Sequence, residues 1–296
     1  MANLRDIRRR IKSVRNTAQI TRAMQLVAAA KMKKAQQQAT AGRAYSDHLS
    51  RVMADLKAAV GEQEHPLLER RGGDRTLVLV ISTDKGLCGG LNTNLARRIR
   101  ADIPADAHFV TVGRKLRQQL LKLRREMIAD FEVRDPVPFA EARPIARFLT
   151  QKFLGRDYDT IKVVFSNFVT TMTQTPWVSQ LLPIEETHIG GRRRYEADTA
   201  LPVAGGRAGG GTDYLFEPGA PQVLGALLPL YVNFQVYQML LEARASEHSA
   251  RMVAMKSATD NASQMIKDLT LELNKVRQAA ITAELLEIST AMKAME

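Results

Sequence analysis

Leu4, Ile7, Ile11, Val14 and Ala18 recur at alternating steps of three and four, the spacing of a coiled-coil seam. The apolar pattern then shifts to Ile20, Met24 and Val27, a change that alters a supercoil locally without ending the helix. Residues 1–41 hold no Gly or Pro, and SDHLSRVMADLKAAVG carries the helical pattern past Gly42 to Gly61. A helix of that extent would be on the order of 85 Å long. A second uninterrupted run occupies Leu230 to Glu296, about 100 Å if helical throughout. In it Ala262, Ile266, Leu269, Leu273, Val276, Ala280 and Ala283 form one heptad-compatible stripe with several small residues. A single long helix cannot bury such a stripe alone. The partner that the chain itself supplies is its other end, so residues 1–60 and 214–296 are expected to pair as an antiparallel coiled coil.

The texture between them differs. Glu62 to Asp74, EQEHPLLERRGGD, reads as a charged linker with a Pro and a Gly pair. TLVLVIS is a buried-strand run and TDKGLCGGLNTN a Gly-rich turn; LARRIRADI is a helix and HFVTVG a second strand. RKLRQQLLKLR is an amphipathic helix, EMIADFEV a third strand, and FAEARPIARFLTQKFLG a helix with Pro144 near its start. DTIKVVFSNFVTTMTQTPWVSQLLPI supplies two longer strands. Strands alternating with helices predict an α/β domain over 76–187 with a largely parallel sheet. His188 to Asp213, rich in Gly and charge, reads as a flexible loop. Pro221 suits a first helical turn, whereas Pro229 either kinks the last helix or marks its start at Leu230.

Composition narrows the class. Hydrophobic content of 45% and charged content of 25% fit a globular chain. No apolar run is expected to reach the ~18–20 residues of a membrane span. The Arg-rich start lacks the apolar core of a secretory signal and runs on as helix, so it reads as mature structure. Cys88 is the only cysteine, which leaves no internal disulfide framework and no multi-cysteine metal site. The formal net charge of +12 is concentrated: residues 1–45 hold eleven basic side chains against one acid, Asp6. Residues 240–296 hold seven bases and eight acids. The first segment therefore calls for an acidic partner or solvent.

Candidate chemistry is sparse. The turn TDKGLCGGLN sits between strand and helix, where phosphates often bind, yet matches neither G-x-G-x-x-G nor G-x-x-x-x-G-K-[ST]. Tight-turn geometry explains its glycines more simply. No His lies near Cys88 in sequence to activate it. His48, His65, His108, His188 and His248 are scattered, without metal-ligand spacing. No nucleophile elbow is present, and Glu284 and Glu287 read as a solvated face. No cofactor or metal is expected and the chain reads as non-catalytic. Two rivals stand: a nucleic-acid-binding basic coiled coil, against which aromatic content of only 5% counts, and a small-molecule enzyme using the 82–94 turn.

Three stretches, in order, carry a family resemblance. IRRRIKSVRNTAQITRAMQLVAAAKMKKAQ (Ile7 to Gln36) resembles the N-terminal signature of the gamma subunits of F-type ATP synthases. STDKGLCGGLNTN (Ser82 to Asn94) resembles their central strand–turn motif, and Ala245 to Ile288 their C-terminal signature. The resemblance implies a central rotary stalk: paired terminal helices inside a ring of alpha and beta subunits, with an inserted Rossmann-like α/β domain. It implies further partners in the epsilon subunit and the membrane rotor ring of c subunits, one copy per complex, peripheral on the cytoplasmic face of the bacterial inner membrane. By motif it implies beta-subunit contacts at Met24, Arg277, Gln278, Thr282 and Glu284, and a rotor-ring foot at Asp213, Tyr214, Leu215, Phe216 and Glu217. From the residues alone, Met24 reads equally as seam packing, Arg277 as a solvated face, and 213–217 as a loop entering a helix. The tail ISTAMKAME departs from the family's small, valine-rich ending, and the chloroplast-type regulatory cysteine pair is absent.

Overall fold

A computed structural model of the chain describes residues 4–60, 65–184, 217 and 219–295. The loop expected at 188–213 and the foot residues Asp213 to Phe216 lie outside the described residues. The chain separates into two compact units, one made of Met1–Ala29 with Arg251–Glu296, the other of Ala30–Ala250.

Two helices belong to both units. Helix α1 runs Leu4–Val60 over 57 residues, through Gly42. The last helix, α5, runs Ala220–Met295 over 76 residues. It begins at Ala220, with Pro221 in its first turn, and passes through Pro229 rather than starting after it. The lost hydrogen bond and ring clash of an interior Pro are offset here by packing, since Leu228, Tyr231 and Val232 are nearly fully buried.

In the first unit the seam is legible as burial. On α5 the protected positions are Met255, Thr259, Ala262, Ile266, Leu269, Leu273, Val276 and Ala280, at alternating steps of four and three. On α1 they are Leu4, Ile7, Ile11, Val14, Ala18, Thr21, Gln25 and Ala28. The expected shift to Ile20, Met24 and Val27 does not occur. The heptad continues unbroken through Thr21 and Gln25, leaving Ile20 61% and Val27 57% exposed and Met24 half-buried. Thr21 Oγ1 meets Thr259 Oγ1 at 2.7 Å across the seam, so a polar pair replaces an apolar one. Counting from that pair in antiparallel register sets Ala18 opposite Ala262 and Ile11 opposite Leu269. A parallel register would carry Ile7 toward residue 245, outside this unit. Ala283, expected in the stripe, is exposed: it falls beyond the register's last counterpart in the described part of α1.

The second unit is a five-stranded sheet in the order β3-β2-β1-β4-β5. Its strands are β1 (Thr76–Ile81), β2 (His108–Val112), β3 (Met127–Phe131), β4 (Thr160–Phe168) and β5 (Gln174–Leu182). The first four are parallel and β5 is antiparallel to β4. Alternation along β1 divides the core. Val78 and Val80, with Phe109 and Val164, face α2 (Leu91–Asp102) and α3 (Arg114–Lys122) through Leu95, Ile99, Leu116 and Leu120. Leu77, Leu79 and Ile81 face the opposite way, toward Ile145, Leu149 and Phe153 of α4 (Phe139–Leu154) and Leu228, Val232 and Val236 of α5. The segment read as a linker is partly packed as well: Leu67 is buried, and its carbonyl accepts from the Ile184 N–H at 3.0 Å.

This packing corrects one expectation. Helix α5 does contain an 18-residue window of mean hydropathy 1.3, long and apolar enough by composition to cross a membrane, and half of that window is buried. Tyr231, Val232, Val236, Met239, Leu240 and Leu241 account for it as a core face laid on the sheet.

Candidate functional site

Open parallel sheets bind ligands beyond the strand C-termini where the strand order reverses, here between β1 and β4. That crevice is filled by the chain's own helix α5. Only about 10 Å³ of free space remains there, walled by Ser82 and Thr83 at the end of β1, Ser166 of β4, and Ala243, Arg244 and Glu247 of α5. A run of polar side chains makes the docking specific. Ser246 Oγ donates to the Ser166 carbonyl at 2.9 Å, and Ser249 Oγ to the Thr171 carbonyl at 2.6 Å. Arg244, its side chain 9% exposed, donates to Glu247 at 2.8 Å, Asp84 at 3.2 Å and the Val133 carbonyl at 2.8 Å. Burial works against its charge, but Glu247 and Asp84 more than offset that, and the Arg244 pKa lies above its ordinary value.

Beside this latch, Asp135 meets His248 Nε2 at 3.3 Å and Lys31 Nζ at 2.8 Å. The His248 ring foremost, and then the Lys31 ammonium, hold the Asp135 carboxyl well below the usual carboxylate range.

The Gly-rich turn satisfies its own polar groups. The Thr83 N–H donates to Asn92 Oδ1 at 3.4 Å, Asn92 Nδ2 donates to Thr83 Oγ1 at 2.8 Å, and Thr83 Oγ1 donates to the Lys85 carbonyl at 2.8 Å. Cys88 is buried and packs with Leu91 and Ala250 of α5. The turn is thus a seat for the helix, and this arrangement does not favour a phosphate cradle or a thiol nucleophile there.

The coiled-coil surface is open to a partner. Beyond Ala280 every described side chain of α5 is exposed, including Ile281 (49%), Leu285 (62%), Ile288 (59%) and Met292 (68%). On α1 the basic residues from Arg5 to Lys34 are all exposed, although Lys31 also pairs with Asp135 and Arg9 with Asp6.

A family model described as ATP synthase matches residues 3–295. An ATP synthase gamma chain from Akkermansia muciniphila is 50% identical over all of both chains. Those of Opitutus terrae, at 47% over 98% of each chain, and Methylacidiphilum infernorum, at 45% over all of both, are also similar. The chain belongs to the ATP synthase gamma chain family. Among solved structures, a chain from the rotor of the Euglena gracilis mitochondrial ATP synthase shares the fold at a TM-score of 0.64 and 17% identity. The match covers 94% of this chain and 98% of that one. A second from the same organism's OSCP/F1/c-ring assembly gives 0.65 at 19% identity, covering 99% and 94%.

The residues singled out for gamma-type contacts do not form one patch. Arg277, Gln278, Thr282 and Glu284 are all exposed. At 3.6 residues per turn, Arg277 and Glu284, seven apart, share the flank next to the seam, whereas Gln278 and Thr282, four apart, share the face away from it. The Thr282 hydroxyl donates back to the Gln278 carbonyl at 2.9 Å and so offers a partner only its lone pairs. Met24 is half-buried at the seam's edge. Of the foot residues only Glu217 is described, as an exposed bend. Sequence reasoning missed the latch of Arg244, Ser246, Glu247, His248 and Ser249. Its signal was present: charged and polar residues in a run, ARASEHSA, that continues an apolar helix face.

Proposed function

We propose that the chain is the central rotor stalk of a proton-translocating F-type ATP synthase. It transmits torque between a membrane rotor ring of c subunits and catalytic beta subunits, and performs no catalysis itself. The observation that carries this reading is a two-helix seam, satisfied up to Ala280, from which one helix runs on with Ile281, Leu285, Ile288 and Met292 in the open. Such an apolar, unpaired helix end is stable when other subunits surround it. The exposed basic face of α1 suits an acidic ring interior. Contacts that are exposed and small in side chain let a shaft turn past successive subunits, because each exposed ion pair is worth only about 0–1 kcal/mol.

Met24, Arg277, Gln278, Thr282 and Glu284 are the residues we assign to the beta subunits, and residues 213–217 to the rotor-ring foot. Two pairs on different flanks of α5 suit a shaft inside a ring better than a single docking patch would. Differential contact with the beta conformers is what drives their interconversion, since equal contact would shift nothing. Alpha, beta and epsilon subunits and the c ring are the partners, one copy of this chain serves each complex, and the location is the cytoplasmic face of a bacterial inner membrane.

Reconstitution with alpha and beta subunits tests this. Truncation after Val276 is expected to weaken or uncouple ATP hydrolysis in the complex while the Ala30–Ala250 unit stays folded. Hydrolysis of ATP by the isolated chain would contradict the non-catalytic reading.

A further inference from the structure

Helices α2 and α3 flank a groove of about 330 Å³ on the face of the sheet away from α5. Its floor is apolar, made by Ile99, Leu116 and Leu120, all at most 4% exposed. Its rim is cationic, with Arg100, Arg124 and Arg125 gathered near the C-terminal ends of both helices. Of the neighbouring acids, Asp102 pairs with Arg98 at 2.6 Å, Asp130 with Arg117 at 2.7 Å and Glu126 meets His108 at 3.3 Å, while Asp106 is exposed and pairs with neither Arg100 nor Arg124. Arg100 and Arg124 have no ion-pair partner among the described residues. Arg125 bonds the Pro104 and Ala105 carbonyls, and so ties the turn after α2 across the cationic end of the groove.

The backbone supports the same reading. Arg124 follows the end of α3 at φ 54°, a left-handed position where Gly is the ordinary choice. Its N–H donates to the Leu121 carbonyl and that of Arg125 to Leu120, so the terminal carbonyls of α3 are already satisfied. The chain thus holds an arginine at a costly conformation, at the mouth of an apolar groove, with no acid to pair it.

We propose that this groove binds a small anionic amphiphile: one carboxylate or phosphate monoester on a saturated chain or ring. The head lies between Arg100 and Arg124, and the apolar body runs along Ile99, Leu120 and Leu116. The volume falls at the low end of the ~300–1,000 Å³ of small-molecule clefts. Closure at Ala105 favours a ligand that terminates in its charge over a partner helix passing through. Guanidinium recognises both carboxylate and phosphate oxygens in paired hydrogen bonds.

Methyl NMR of the full chain, labelled at Ile and Leu, tests this with decanoate, decyl phosphate and the neutral decanamide. Decanoate and decyl phosphate are expected to shift the Ile99, Leu116 and Leu120 methyls saturably, binding at least about ten-fold more tightly than decanamide. The pair Arg100→Gln and Arg124→Gln together is expected to remove that preference and leave decanamide unchanged. These are exposed side chains, and unchanged methyls elsewhere in the spectrum establish that the variant is folded. Shifts with phosphatidylglycerol vesicles but not phosphatidylcholine vesicles would assign the head group to a lipid; shifts with the free amphiphiles alone would assign it to a soluble ligand. Absence of saturable shifts at these methyls, equal binding of the neutral probe, or a double variant that binds decanoate unchanged would overturn the proposal.

Discussion

Replacing Arg244 with Met tests the latch that closes the ligand crevice. The side chain is similar in length, so little volume is lost. What changes is charge: Glu247, 6% exposed, loses its guanidinium at 2.8 Å. Removing one member of a buried pair costs about 3–5 kcal/mol, because the remaining carboxylate stays out of water without its guanidinium. Asp84 adds little, since it is 35% exposed and screened by solvent. The Val133 carbonyl loses a charge-assisted donor, but these effects share one group and do not add. The expected loss is therefore about 3–5 kcal/mol in total, or roughly 6–20 °C in Tm for a unit of this size. Trp177 is the only tryptophan and lies in β5, so its fluorescence reports on the sheet unit in urea. The double variant Arg244→Met with Glu247→Met removes the buried carboxylate as well and should recover much of the loss. A single variant within about 0.5 kcal/mol of the parent, or a double variant worse than the single, would refute the reasoning.

The seam predicts a contrast between two isoleucines: Ile7→Ala, at a position 1% exposed, should cost about 2 kcal/mol or more and speed hydrogen exchange over residues 4–29. Ile20→Ala, at 61% exposed, should stay within about 0.5 kcal/mol in the isolated chain. Asp135 has a folded pKa depressed below its ordinary 3.8, so its contribution is present above that value and is lost as pH falls through the folded pKa. The stability gap to Asp135→Asn, read from urea midpoints, should shrink as pH falls below the ordinary carboxylate range toward the folded pKa. A gap that grows in acid would contradict the ion-pair geometry. Gly113→Ala should be severe, losing about 2–3 kcal/mol or more by Trp177 fluorescence, because at φ 95° its Cβ would sit 2.3 Å from the Ser82 carbonyl oxygen. Gly89→Ala, also at positive φ but with nothing within 4 Å, should cost only about 1–2 kcal/mol.

The long helices and the alternation of strands with helices were open to reading because their signals are periodic. Val78 and Val80 against Leu77 and Leu79 divide the sheet's two faces by simple alternation, and Ala262 to Ala280 mark the seam. The seam on α1 was misread after Ala18 because burial there falls on Thr21 and Gln25, while the apolar Ile20 and Val27 stand outward. A hydroxyl pair at 2.7 Å lets a polar residue hold a seam position, and composition does not reveal that. The latch was hidden for a related reason: Arg244 and Glu247 look like a solvated helical pair until Asp84 and Val133, far away in sequence, enclose them. Contact residues such as Arg277 were legible only through resemblance, since nothing in the folded chain touches an exposed face meant for another protein.

Rotation is the central claim, and the structure offers a handle for observing it. Met172, 74% exposed in the turn between β4 and β5, can be replaced by Cys and labelled, while the buried Cys88 stays unreactive. With a bead on that position and alpha and beta subunits fixed to a surface, ATP is expected to drive continuous one-directional turning of this chain. Steady ATP hydrolysis by the assembled complex with a stationary bead would contradict the account.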